Sequence, residues 1–282
     1  STQMTRLCAA LPLNALALPP FPVWLAALFV AALVAVSPLT RLRMGWRYAL
    51  LAVLPLLTCV AALLPWPQGL QIAFLDAGQA DSAVVLAEGD AYLVDVGLEG
   101  SPVCDYLAHL GLAPRAVFLS HPHTDHAGGL VTLLDEYVPE TIYIPAGWDA
   151  VEADEDVVDG LQRAKALGAE VVTLAAGDVV PLSENVSATV FYPPEDIDVS
   201  GDANAVSMLL RIDYGEASAL FTGDLEMTEE PGPMPDVDVL KVPHHGSSNS
   251  SSLMLLHSAS PSAAIISAGR NNPYGHPAQA LL

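Results

Sequence analysis

The first 67 residues contain no aspartate or glutamate, and the rest of the chain has little positive charge to set against its acids. Residues 1–67 hold four arginines (Arg6, Arg41, Arg43, Arg47) and so carry +4. Residues 68–282 hold all 32 acids against six Lys and Arg, or −26, and together they make the chain's −22. An acidic surface of this size argues against non-specific adhesion to nucleic acid, because phosphate contacts normally rest on Lys and Arg. It leaves open a nucleic-acid substrate held through metal ions. Cysteine is scarce too. Cys8 and Cys59 lie in apolar sequence and Cys104 stands alone beyond them, which argues against a disulfide framework or a Cys-based zinc site. No internal repeat is present, so a solenoid is excluded.

Polar residues are almost absent from 21–36 and 48–64. With their apolar flanks these runs approach the roughly 20 residues that cross a bilayer. No residue of 21–36 would give a helix a polar face for water, which disfavours a buried core helix. A membrane hairpin is expected over residues 1–67, with spans at about 18–36 and 48–66. Its turn carries Arg41, Arg43 and Arg47, and the positive-inside bias makes that turn cytoplasmic. Trp24 and Trp66 then fall at the outer interface and Trp46 at the inner one. A domain over 68–282 would follow on the outer side, against the membrane.

From Leu70 the pattern changes to short β-rich runs, from 72–75 to 263–267, punctuated by Gly, Asp and Pro. Helical periodicity falls near 102–110, 126–137, 157–167 and 251–258. This predicts an α+β or layered α/β domain of about 215 residues, long enough for a sizeable core. A further helix is expected to begin at 278–282, which suggests a piece of something longer. The acidic run 149–159 is expected to coat an exposed helix or loop.

The strongest signal is Ser120-His121-Pro122-His123-Thr124-Asp125-His126-Ala127-Gly128-Gly129. Imidazole and carboxylate together suit zinc, manganese or iron. His121 and His123 alternate along an extended segment, so both can face one ion. Asp125 and His126, at the turn into a helix, reach a second point. Gly128 and Gly129 let the helix start pack tightly.

These residues resemble the His-x-His-x-Asp-His motif of the metallo-β-lactamase superfamily. The resemblance implies a four-layer αββα sandwich with two divalent metal ions, zinc or manganese, at the edge of two sheets. It implies His121, His123, Asp125, His126, Asp224 and His245 as ligands, with Asp224 bridging. Asp125, Asp224, His244 and His276 would carry the catalysis, His244 and His276 by contacting or protonating the substrate. A histidine usual before the strand leading to Asp224 is missing here, where the chain reads Gly201-Asp202-Ala203-Asn204. Asn204, Asp202 or water would fill that place, and an oxygen donor shifts preference towards manganese.

A narrower resemblance, over residues 71–282, is to the C-terminal domain of ComEC-type competence proteins. It rests on Asp76-Ala77-Gly78-Gln79-Ala80-Asp81-Ser82, Thr222-Gly223-Asp224, Val242-Pro243-His244-His245-Gly246-Ser247 and Tyr274-Gly275-His276-Pro277, in that order. It implies a multi-pass membrane protein that hydrolyses the non-transported DNA strand outside the membrane, with single-stranded DNA and other DNA-uptake proteins as partners. The alternatives are hydrolysis of a lipid or wall-polymer phosphodiester, which suits the acidic surface, and a non-catalytic DNA-binding gate. Asp76 and Asp81 are expected as turn formers, Asp95 as a support for the ligand loop, and Tyr274 as a packing residue.

Overall fold

A computed structural model describes residue 30, residues 69–199 and residues 202–282. The predicted membrane hairpin lies outside the described residues. Among the described residues, no helix is long and apolar enough to cross a membrane.

Two six-stranded sheets form the framework. The first runs β1 (Leu70–Phe74), β2 (Ser82–Ala87), β3 (Asp90–Val96), β4 (Pro114–Phe118), β5 (Thr141–Pro145) and β6 (Glu170–Leu174), neighbours in that order. The second starts at the edge strand β7 (Val179–Pro181) and continues through β8 (Val186–Tyr192), β9 (Leu209–Tyr214), β10 (Ala217–Phe221), β11 (Val239–Lys241) and β12 (Ala263–Ile265). Each is mixed in the same way. Antiparallel pairs come first, β1–β2–β3 and β7–β8–β9–β10, and parallel pairs follow. Glu88 (φ 51°) and Gly89 (φ 102°) form the two-residue link of the β2–β3 hairpin, and such left-handed pairs match the twist of the strands they join.

Period-2 alternation sorts the side chains into three cores. From β3 and β4, Leu93 and Val117 point to a helical layer while Tyr92, Val94, Ala116 and Phe118 point to the second sheet. From β9 and β10, Leu210, Ile212, Ala219 and Phe221 point back at the first sheet, and Leu209 and Leu220 point outward. The outer face of the first sheet is covered by α1 (Val103–Leu110), α3 (Leu130–Glu136) and α4 (Glu155–Leu167). The outer face of the second is covered by α5 (Leu253–Ala259). The result is the predicted helix–sheet–sheet–helix sandwich.

Local sequence explains the elements nearest the site. Helix α4 buries Val157, Gly160, Leu161 and Ala164, one stripe at helical spacing. Glu155 and Asp156 lie in its first turn, Lys165 in its last, and Gly168 ends it at φ 101°. The acidic run therefore coats an exposed helix start, as expected. The predicted helix over 126–137 is instead two, α2 (Thr124–Ala127) and α3, divided at Gly128 and Gly129. A side chain on Gly129 would come within 2.5 Å of the Val96 carbonyl oxygen, so the glycine lets this helix pair dock on the end of β3. Residues 278–282 make a turn closed by Leu281 N–H on the Ala278 carbonyl, not the expected helix start.

Candidate metal centre

The predicted site residues converge where β3, β4, β10 and β11 end. A bulge begins the arrangement. Ser82 pairs with Val96 and Ala83 with Val94, so Asp95 between them has no partner on β2 and takes φ 56°. A bulge re-aims the side chain it displaces. The Asp95 carboxylate accepts from Ser120 N–H at 2.7 Å and Ser120 Oγ at 2.8 Å, and lies 2.8 Å from His126 Nδ1. It thereby fixes the start of the His-rich loop and the orientation of its last histidine, the supporting role expected for it.

Along that loop, His121 Nε2 and His123 Nδ1 stand 3.0 Å apart. This is hydrogen-bond distance, a few tenths of an ångström short of the roughly 3.3 Å between two nitrogens on one tetrahedral zinc. One step away, Asp125, His126, Asp224 and His245 each offer a ligand atom, all within 4.8 Å of one another. Asp224 lies close to three histidines. Its Oδ1 is 3.1 Å from His126 Nε2, and its Oδ2 is 3.6 Å from His245 Nε2 and 3.7 Å from His244 Nε2. His245 Nε2 is also 3.2 Å from Asp125 Oδ2, and its Nδ1 faces the Ser267 carbonyl at 3.0 Å. The second-sheet loops hold these groups by close backbone approach. Gly223, at φ 51°, leaves no room for a side chain beside Ser120, and Ser207 Oγ accepts from Asp224 N–H at 3.1 Å. His244 and His245 both take φ 51° and Gly246 follows at 79°. Two left-handed non-glycine residues in succession cost on the order of 1–3 kcal/mol each, strain that collects at functional sites.

His126 Nε2 and Asp224 Oδ1 are buried and close, yet neither makes a hydrogen bond. Buried polar atoms left this way are costly unless another partner takes them, and a divalent cation has the chemistry to do so. The donor set of imidazoles and carboxylates fits zinc or manganese.

The charges agree with that demand. Burial alone would push the Asp224 carboxyl up, but the neighbouring His126, His121 and His245 outweigh it and hold it well below the carboxylate range. Asp125 is held down at about 2, where the His245 hydrogen bond and the His126 charge overcome burial. His126 goes the other way. Burial would lower it, but Asp224 and Asp95 hold it well above the ordinary histidine value. His121 is lowered well below that value by burial and by His126. His276 is lowered by burial and by the nearby His244 and His245.

Asn204 lies in the segment where the usual histidine is missing. It is buried in a short 3-10 turn (Ala203–Val206), lines the same cavity as Asp125 and Asp224, and its Oδ1 has no hydrogen-bond partner. Asp202 instead caps that turn, its Oδ1 accepting from Asn204 N–H at 2.9 Å. The cavity holds about 740 Å³, and His244, His276 and Tyr274 are among its walls.

Two expectations are corrected here. Asp76 is a turn former, with Oδ1 accepting from Gly78 N–H at 3.3 Å, but Asp81 is not. Asp81 is buried beneath the site in an ion pair with the buried Lys241, at 2.6 Å, and its Oδ1 is 3.8 Å from His245 Nδ1. Tyr274 does not pack in a core. It is 69% exposed at the cavity mouth. Sequence reasoning also missed Asp154, whose Oδ2 accepts from Thr124 N–H and Oγ at 2.7 and 2.8 Å and so caps α2, the helix that carries Asp125 and His126. Its only signal was a place inside the acidic run.

Comparison with known proteins agrees with this geometry. Residues 75–270 match the family model described as the metallo-beta-lactamase superfamily. The chain is similar to ComE operon protein 3 of Bacillus subtilis, 36% identical over 59% of this chain and 21% of that protein. It is similar to Recombination protein 2 of Haemophilus influenzae, 30% identical over 73% of this chain and 25% of that protein. Competence protein ComA of Neisseria gonorrhoeae is 27% identical over 93% of this chain and 38% of that protein. The chain thus spans between 21% and 38% of the length of these relatives.

Proposed function

The chain belongs to the metallo-beta-lactamase superfamily, and from that premise we propose that it is a two-metal phosphodiesterase acting on a DNA strand outside the cell membrane during DNA uptake. The observation that carries the reading is the convergence of Asp125, His126, Asp224 and His245, with His126 Nε2 and Asp224 Oδ1 buried and making no hydrogen bond. His121 and His123 would hold one ion with Asn204, Asp125, His126 and His245 would hold the other, and Asp224 would touch both. When bound, such ions lower the pKa of a water between them and clamp both oxygens of an in-line displacement. The residues of this chain supply the rest. Asp224 fixes the distance between the two halves of the site. Asp95 holds His126 in one orientation through Nδ1. His244, on its strained turn, presents Nε2 to the cavity beside Asp224 and can neutralise charge on the reacting phosphate. His276, whose ring lies 5.8 Å from that of His244, can give a proton to the leaving oxygen.

DNA as substrate is supported by the names of two relatives, Competence protein ComA and Recombination protein 2, and the outer location by the Arg41, Arg43 and Arg47 turn. The −26 charge of residues 68–282 favours a second reading, a lipid or wall-polymer phosphodiester, because that charge repels a polyanion. One assay separates the two. The full chain in detergent, loaded with manganese or zinc, is given single-stranded DNA oligonucleotides and glycerophosphodiesters in parallel. The account predicts cleavage of the oligonucleotide, faster with manganese, and abolished by Asp125→Ala or Asp224→Ala with the fold retained. Wild-type turnover in either variant would remove these residues from the active centre. Cleavage of the glycerophosphodiester alone would establish the second reading.

A further inference from the structure

We propose that Arg270 and Tyr274 form a nucleotide clamp at the rim of the cavity, Tyr274 stacking a base of a single-stranded nucleic acid and Arg270 holding its phosphate. The inference rests on the phosphodiesterase reading above and specifies the strand it acts on.

Charge singles out Arg270. Of the six Lys and Arg beyond residue 67, Arg115, Arg163, Arg211 and Lys241 are each engaged by an aspartate. Arg270 is exposed, lines the cavity and has no such ion pair among the described residues. In so acidic a domain, an unneutralised guanidinium at the mouth of the site is where an anion approaching the centre would be met. Its planar fork suits a phosphate. The exposed acid in the same wall, Asp154, has its Oδ2 committed to Thr124.

Aromatic geometry singles out Tyr274. Its ring lies 5.7 Å from that of His276 at an interplanar angle of 30°, and His276 in turn stacks with His245 at 6.4 Å and 21°. A near-parallel series of rings therefore runs from the candidate ligand His245 out to Tyr274. Tyr274 is 69% exposed, which leaves ring surface for another flat group. A nucleobase continues the series, whereas a glycerol or sugar phosphodiester offers nothing to stack. In a duplex each base is already stacked on its neighbours, so the platform selects single strands.

The platform is built rigidly. Asn272 Nδ2 donates to the carbonyls of Gly269 and His276 at 2.8 and 2.6 Å, and its Oδ1 accepts from Tyr274 N–H at 3.1 Å and His276 N–H at 3.0 Å. Gln79 Oε1 accepts from Gly269 N–H at 2.8 Å, tying the loop to the turn after β1. An exposed aromatic held by this many bonds is presented, not merely left out of a core.

The test uses the full chain loaded with manganese and two single-stranded oligomers, one of thymidines and one of abasic residues on the same backbone. The clamp predicts a lower KM for the base-bearing strand by roughly 5- to 150-fold, the range of one base–aromatic stack. Tyr274→Ala should remove that difference and Tyr274→Phe should keep it. Arg270→Ala should lower the slope of log KM against log salt by about 0.7, one single-strand phosphate contact. Irradiation of a strand carrying 5-iodouracil should crosslink the peptide that contains Tyr274, a readout independent of turnover. Equal KM for both strands, or crosslinks only elsewhere, would overturn the clamp while the phosphodiesterase reading stands. Cleavage of glycerophosphodiesters and of no oligonucleotide would overturn the nucleic-acid reading and the clamp together.

Discussion

His126 has Asp95 at 2.8 Å from Nδ1 and Asp224 at 3.1 Å from Nε2. Burial would lower its pKa, but the two carboxylates hold it well above the ordinary value, which favours the protonated ring in the metal-free chain. A metal ion needs the neutral ring. Uptake must therefore expel that proton, and apparent metal affinity must rise with pH. Titration of manganese into the metal-free chain at pH 7, in buffers of different ionisation enthalpy, should show net proton release, and His126→Gln should diminish it. Release unchanged in that variant would place the proton elsewhere. The same raised value sets a stability window. The contribution is full below about 6.5, the unfolded value, and is lost as pH climbs through the folded one. The candidate ligands stand out in the sequence because most lie within a few residues of each other, in a strand–loop–helix setting. Asp81 was not, because its burial depends on Lys241, a residue 160 positions away. Tyr274 was misread because exposure is set by what the rest of the fold fails to cover.

At the scale of elements, alternation and turn chemistry located most strands, including the β2–β3 and β9–β10 hairpins. The edge strand β7, three residues long with two of them exposed, has no apolar pattern to reveal it. The division of the predicted 126–137 helix was also hidden. Glycine has no distinctive periodicity, and what it must avoid here is the end of β3. That contact gives a prediction. Gly129→Ala places a methyl 2.5 Å from the Val96 carbonyl oxygen, so the start of α3 must shift and drag α2 with it. Overpacking of this kind costs about 1–3 kcal/mol. Because α2 carries Asp125 and His126, thermal unfolding should come earlier and metal content should fall with it. Unaltered unfolding and metal content would show that this close approach does not position the ligands.

At the scale of the whole molecule, the division of charge separates an apolar segment from an acidic hydrolase domain. On the proposed topology the acidic part lies outside the membrane. Cys104 cannot report on this, because it is buried and burial pushes its thiol up to about 11. Glu184, exposed on the hairpin between β7 and β8, is a better site. Glu184→Cys should react with a membrane-impermeant thiol reagent in intact cells stripped of outer layers. Protection until lysis would put the domain in the cytoplasm and remove the main physical support for a role in DNA uptake. The central claim, however, is chemical: six side chains brought together from a strand end, a helix start and two tight turns form a binuclear metal centre. Elemental analysis of the full chain, reconstituted with manganese and freed of excess ion, tests it most directly. The account predicts close to two equivalents per chain, falling in Asp224→Ala. Less than about half an equivalent of any metal would contradict it.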